Sequence, residues 1–245
     1  MKKIGFLLVL AIAFISSCKE DPPQEIVNSN LSVSISHEYN GADLNFLTDS
    51  YIMPKGDTVN FSRLSYLLSN FYLVNSNDEK VKLEDQYAFI SAAEDITTFE
   101  LTGVPKGSYK AFGFHLGIDS LVNYGDPNIY PADHPLSPIR NSLHWSWTGG
   151  YIFNAIEGML ADGSENFIYH VTGGKETIEF EYTVFLNKEN NALNASLTYD
   201  LAEAFKNPEE LDFNIDGYSA HTEEAPAAVK IFKNLVNVIT LNSIE

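Results

Sequence analysis

Six histidines and two closely spaced tryptophans are the residues of this chain best suited to metal or redox chemistry. The histidines are His37, His115, His134, His144, His170 and His221. Trp145 and Trp147 are the only indoles, and Cys18, the only cysteine, lies close to the N-terminus. A transition-metal site in the rest of the chain must therefore use imidazole, helped by carboxylates or by Met53 or Met159. Ligands on separate strands meet without any fixed spacing, so spacing does not select among these histidines.

The local sequence around each histidine suggests a different environment. His37 ends the apolar face of a predicted strand, where a buried imidazole is either a hydrogen-bonded core group or a ligand. The neighbours of His170 along its predicted strand are apolar and their side chains face the core, so the side chain of His170 points to the other face. His221 precedes the last predicted helix. His115 and His134 are predicted at the surface.

The tryptophans belong to the segment LHWSWTGGY, residues 143–151. In a strand, Trp145 and Trp147 project to one face, and His144 and Ser146 to the other. Two indoles on one face are typical of core packing. The alternative is a ligand-binding or redox role beside the imidazole groups.

Short apolar runs of period two dominate the chain and predict an all-β domain. Runs of this kind occur at residues 31–39, 112–118, 178–186 and 193–199. Residues 61–74 are apolar on both faces, which predicts a central strand. The pattern favours a single domain over residues 31–245 with a Greek-key β-sandwich fold, immunoglobulin-like or barrel-like, and a barrel is the alternative.

Two short helices are predicted near the C-terminus. Asp200 caps the first, which ends before Pro208, and Thr222 caps the second, which extends to about Val236.

Residues 119–142 contain four prolines and no strand period. A loop this long in a compact domain is usually functional or mobile. Its side-chain oxygens on Asp119, Asn123 and Asp126 either form Asx-turns or bind a hard cation such as calcium.

The N-terminus has the pattern of an export signal. Lys2 and Lys3 precede an apolar run, and Ser16-Ser17-Cys18 resembles the lipobox of bacterial lipoproteins. This predicts a signal peptide over residues 1–17, lipid on Cys18 and a flexible acidic tether over residues 18–30. The expected location is the outer membrane, anchored by lipid at the periplasmic face or the cell surface. The alternative is an ordinary cleaved signal or an uncleaved start.

Charge and motifs exclude several functions. The net charge is −18, and removing residues 1–17 leaves 13 basic against 33 acidic residues, a net charge of −20. Such a chain repels phosphate backbones, so no nucleic-acid partner is expected. No complete hydrolase, zincin or phosphate-loop motif is present, so the chain is not expected to be an enzyme.

Several segments, taken in order, resemble the methanobactin-associated copper-binding proteins, the MbnP-like family. The matching segments are His37 with Gly41, Leu64-Ser65-Tyr66, Ser69-Asn70-Phe71, residues 104–109, Gly117-Ile118-Asp119-Ser120 with Asn123, His134-Pro135-Leu136, Trp145-Ser146-Trp147, Gly150-Tyr151-Ile152-Phe153, Glu157-Gly158, and Tyr169-His170 with Gly173. Together they span nearly the whole mature chain.

The resemblance implies a β-sandwich that binds one copper ion. It also implies a partner, which is a dihaem enzyme of the MauG-like peroxidase family. This partner would oxidise a tryptophan to kynurenine, and copper binding would depend on that modified residue. In this chain the modified residue would be Trp145 or Trp147. The implied copper ligands are His37 and His170, with His221 as a third candidate.

The sequence therefore predicts a lipid-anchored copper-binding protein. The alternative is a surface-exposed β-sandwich module that binds a glycan or a protein without metal. The tether, the 13 tyrosines and the long loop suit that alternative equally well, because aromatic rings offer stacking faces.

Overall fold

The computed structural model describes residues 29–146, 149–188 and 193–245. The predicted signal peptide, Cys18, most of the predicted tether and Trp147 lie outside these residues. Ser29 and Asn30, which the sequence assigned to the tether, form the start of the first strand. Within the described residues, no helix is long and apolar enough to span a bilayer.

Sixteen strands and several short helices make up the described chain. The strands are β1 (Ser29–Tyr39), β2 (Ala42–Asp43), β3 (Tyr51–Ile52), β4 (Thr58–Asn75), β5 (Lys80–Lys82), β6 (Ala88–Ser91), β7 (Thr98–Val104), β8 (Gly107–Leu116), β9 (His144–Ser146), β10 (Gly150–Tyr151), β11 (Asn154–Leu160), β12 (Asn166–Val171), β13 (Ile178–Lys188), β14 (Leu193–Asp200), β15 (Ser219–Ala220) and β16 (Ile239–Ile244). The α-helices are α1 (Ser120–Asn123), α2 (Pro138–Asn141), α3 (Phe213–Asp216) and α4 (Pro226–Asn234). The 3-10 helices are Ala92–Glu94, Pro127–Ile129, Leu201–Phe205 and Leu235–Asn237.

The strands form two main sheets. In the smaller sheet, β1 pairs in parallel with β14 and antiparallel with β7 and β2, and β16 pairs with β14. The larger sheet has the order β13-β8-β4-β11-β12-β15, and β3, β5 and β6 also pair with β4. The central position predicted for residues 61–74 is confirmed, because β4 pairs with five strands.

The two sheets bury their apolar faces against each other. In β1, Leu31, Val33, Ile35 and Tyr39 are buried, whereas the serines between Leu31 and Ile35 are exposed. Across the core, the ring of Tyr199 on β14 stacks on Tyr66 of β4, with centroids 4.9 Å apart. The predicted all-β sandwich is confirmed, and the described strands do not close into a barrel.

The two predicted helices form, with one wrong boundary. Asp200 accepts a hydrogen bond from the Ala202 N–H and begins the 3-10 helix Leu201–Phe205, as predicted. The predicted cap at Thr222 is wrong, because α4 begins at Pro226 with Ala225 at the N-cap. Proline favours the first helical position, since its φ is already helical and it has no N–H to leave unpaired.

The proline-rich loop is built from three short helical turns, two of which have side-chain caps. The Asp119 carboxylate accepts from the Leu121 and Val122 N–H groups, and the Asp126 carboxylate accepts from Asn128 N–H. Asp119 and Asp126 therefore form the turns that the sequence offered as one alternative. Asn123 has a different role, because it is fully buried and contacts the segment that carries Trp145.

Candidate metal site

Two histidines that are 51 positions apart lie side by side on the outer face of the larger sheet. β12 and β15 pair in parallel, with Tyr169 opposite Ala220. Both of these residues are buried, so His170 and His221, the next residues along, follow on the outer side. Their ring centroids are 5.2 Å apart. The register between two strands thus brings the imidazoles together.

A carboxylate and a guanidinium hold His170 in place. Glu157 lies on β11, adjacent to β12, and its Oε1 lies 2.9 Å from Nε2 of His170. The same oxygen accepts a 2.9 Å hydrogen bond from Arg63, directly opposite on β4. Both hydrogen bonds lower the pKa of Glu157, to about 2. The one with His170 has the larger effect, and the one with Arg63 the smaller.

Trp145 completes the cluster from the β9–β10 hairpin. Its ring centroid lies 5.4 Å from His221 and 6.1 Å from His170, and both contacts are edge-on. The residue is 42% exposed, so the core-packing interpretation is wrong for Trp145. The indole instead covers the histidines at the surface, because its hairpin lies outside the two sheets.

Buried hydrogen bonds attach this hairpin to the sheet. The side-chain oxygen of Asn123 accepts a 2.7 Å hydrogen bond from Tyr151 N–H, and its amide donates to the carbonyl of Gly174 beyond β12. Gly150 has a φ of +65°, and a Cβ there would lie 2.5 Å from the Asn123 oxygen. The loop thus fixes the position of Trp145 through one buried amide and a close backbone approach.

An open cavity of about 530 Å³ adjoins the cluster. Trp145, His221, Glu223 and Glu224 are among its lining residues. Within the described ranges, no three His, Cys, Asp or Glu side chains are arranged to hold a metal ion together. The cluster therefore offers two imidazoles, with the indole beside them.

His37 lies elsewhere, between the two sheets. Its Nε2 shares a 2.9 Å hydrogen bond with the Tyr66 hydroxyl, and its ring stacks on Tyr199 at 6.0 Å. No ring contact joins it to His170 or His221 among the described residues. The structure therefore groups two of the three predicted histidine ligands and leaves His37 in the alternative role, as a hydrogen-bonded core group.

Burial lowers the pKa of His37 from 6.5 to about 4. Between these values the unfolded chain binds a proton that the folded chain does not, so acid favours unfolding. From about pH 6.5 to about pH 4, this residue should remove about 3 kcal/mol of stability. We expect the free energy of unfolding in urea to fall more steeply with acid in the native protein than in a His37→Gln variant. Parallel pH profiles for the two proteins would contradict the assignment.

The other three histidines have contacts away from the cluster. His115 Nδ1 lies 2.7 Å from the Thr177 hydroxyl, and the residue lines a separate cavity of about 460 Å³. His134 stacks on Tyr130, and its Nδ1 accepts a hydrogen bond from Leu136 N–H. His144 packs edge-on against Tyr151, with ring centroids 4.8 Å apart. All three are partly buried, so the surface positions predicted for His115 and His134 are only partly exposed.

The cluster fits copper on the chemistry of its donors. Imidazole nitrogen suits copper without thiolate, and a carboxylate that holds the other ring nitrogen is a usual companion of a metal-bound histidine. Of the methionines proposed as auxiliary ligands, Met53 is buried beside Tyr39. Sequence reasoning missed Glu157 and Arg63 as site residues, because only the strand register places them beside His170.

The fold and the cluster define a class: a β-sandwich with a candidate metal site of two imidazoles and an exposed indole on the outer face of its larger sheet. A family model described as MbnP matches residues 28–223. The chain belongs to the MbnP family, as its motifs predicted. Its fold is similar to that of MbnP from Methylosinus trichosporium, with a TM-score of 0.59 and 16% identity over 84% of this chain and 87% of that one. No curated protein sequence matches the chain.

Proposed function

We propose that this protein binds one copper ion at His170 and His221, beside Trp145. The observation that carries the proposal is the contact of two imidazole rings and an exposed indole on one face of the sheet. Membership of the MbnP family supports it. Copper bound there would supply a redox-active cation, while the protein orients the imidazoles.

Trp145 is the residue that we propose is oxidised to kynurenine by a dihaem partner of the MauG-like family. The exposed indole is accessible from the surface, so an oxidising protein can reach it without unfolding the sandwich. At the partner's haem, two equivalents of peroxide would be reduced to water while the C2–C3 bond of the indole is cleaved, and hydrolysis would release C2 as formate. The kynurenine that remains has an aromatic amine and a ketone, which are better metal donors than an indole. The two imidazoles would then gain a third donor from the same cluster.

The location proposed from the N-terminal sequence is the outer membrane. The segment that would carry the lipid, with Cys18, lies outside the described residues, so this part of the proposal depends on the sequence alone. A lipid anchor would keep the copper site close to a membrane while leaving the acidic sandwich in solvent.

We expect protein from its native host to contain kynurenine at position 145 and about one copper ion per chain. Mass spectrometry of the peptide 141–158 measures the modification at Trp145 and Trp147, and metal analysis of the same sample measures copper. A Trp147→Phe variant is the matched control and should keep both properties, whereas Trp145→Phe should lose the modification. Two intact tryptophans without copper, in cells that express the oxidase, would contradict the proposal.

The second candidate function is a glycan-binding or protein-binding module without metal. The observation that favours it is the set of exposed apolar side chains on the loop over residues 119–142, such as Leu121, Ile129 and Ile139. Retention of a surface glycan by a Trp145→Phe protein that contains no copper would support this module.

A further inference from the structure

The hydrogen bond between Glu157 and His170 carries information about which ring nitrogen can bind a metal. An ionised carboxylate only accepts hydrogen bonds, and Glu157 forms an ion pair with Arg63, whose guanidinium nitrogen lies 2.9 Å from its Oε1. The contact at 2.9 Å therefore requires a proton on Nε2 of His170. In a neutral imidazole that proton leaves the lone pair on the other nitrogen, Nδ1.

Arg63 fixes the carboxylate itself. Its guanidinium donates to the same Oε1 atom, and its Nε also donates to Ser65 on the same strand. Glu157 and Arg63 are directly opposite each other across β11 and β4, and only about a quarter of each side chain is exposed. The carboxylate is therefore held between two donors and has little freedom to rotate away from His170.

The Nδ1 atom of His170 has no hydrogen-bond partner among the described residues, and neither ring nitrogen of His221 has one there. Ala155 lies directly opposite His170 on β11 and places only a methyl group there. Among the described residues, Nδ1 of His170 and the ring nitrogens of His221 are therefore available to bind a metal.

We infer that Glu157, held by Arg63, is a positioning residue that keeps the His170 proton on Nε2 and makes Nδ1 the metal-binding atom. This inference rests on the proposed copper site and specifies its chemistry. The carboxylate does not contact the metal but decides which nitrogen does. A residue that hydrogen-bonds to a metal-bound histidine in this way, without binding the metal itself, raises metal affinity by about 10- to 100-fold.

Nitrogen NMR of the metal-free protein tests the first step. In ¹⁵N-labelled protein at about pH 8, where an ordinary imidazole is neutral, His170 should carry its proton on Nε2. A His170→Gln variant assigns the signals. A proton on Nδ1 in the metal-free protein would overturn the inference and leave the proposed copper site standing.

Titration with Ag(I), a diamagnetic substitute for Cu(I), tests the second step in protein that carries kynurenine at position 145, because the proposed copper site includes that group. The Nδ1 signal of His170 should shift while Nε2 keeps its proton, and the His221 ring should shift with it. Binding through Nε2 with loss of its proton would overturn the inference alone. If neither ring responds, the proposed copper site fails, and this inference fails with it.

A Glu157→Gln variant should give a mixture of His170 tautomers and weaken Ag(I) binding by about 10- to 100-fold, because an amide can either donate or accept. Glu179→Gln is the matched control, since Glu179 lies 3.8 Å from Nε2 of a different histidine, His115. It should leave His170 and Ag(I) affinity unchanged. An unchanged His170 in the Glu157 variant would contradict the positioning role, and the native-protein spectra decide the question if that variant fails to fold.

Discussion

Replacing His170 and His221 together with alanine should abolish stoichiometric copper binding. The two imidazoles are the nitrogen donors that the fold brings together, with centroids 5.2 Å apart. Each single alanine variant should weaken copper binding by more than about 100-fold, since loss of a ligand exceeds the effect of losing a residue that merely orients one. Metal analysis after dialysis against a weak chelator, followed by a competition titration, measures both effects.

Three other histidines provide matched controls for this result. His115 and His134 have partners outside the cluster, so alanine at either position should leave copper binding unchanged. His37→Gln should also retain copper, because His37 faces the core. Loss of copper in the His37 variant would show that His37 is a ligand, as the sequence resemblance implies. Full copper in the double variant would refute the site.

Changing Asn123 to alanine should destabilise the protein and loosen the copper site together. This fully buried amide accepts from Tyr151 N–H and donates to the Gly174 carbonyl. Its removal leaves both backbone groups without a partner, at a cost of about 2–4 kcal/mol. Urea unfolding measures this loss of stability. In a Trp147→Phe protein made without the oxidase, Trp145 is the remaining indole, and quenching of its fluorescence measures the increased mobility of the hairpin.

Asn128→Ala is the control for this variant. Asn128 lies in the same loop, but among the described residues its amide donates only to the neighbouring Asp126, at the surface. We expect a change in the free energy of unfolding within about 0.5 kcal/mol and no change in fluorescence. Equal stability of the Asn123 and Asn128 variants would show that the buried amide does not hold the hairpin.

Local patterns in the sequence predicted the strands well, because the side chains of a strand alternate between two faces whatever its partners are. Leu31, Val33 and Ile35 are buried as their spacing requires. The outward direction of His170 followed in the same way from its apolar neighbours. The start of the last helix was misplaced at Thr222, because Pro226 with its fixed φ begins that helix itself.

The candidate site was only partly predictable. The sequence pointed to His170, His221 and Trp145, but it also pointed to His37, which lies between the sheets. Glu157 lies in one of the segments that resemble the family, but neither it nor Arg63 was assigned a role, because charged residues are common in this chain. Their role becomes visible only when β4, β11 and β12 are placed side by side.

The residues that face the core could be recognised without a structure, since the alternation of apolar and polar side chains is a local property of each strand. Which outward-facing groups meet depends on how the strands assemble. The parallel register of β12 and β15 joins His170 to His221, and the docked hairpin brings Trp145 over both. Pairing between distant strands depends on contacts across the whole sheet, so no local pattern could reveal that these three side chains form one cluster.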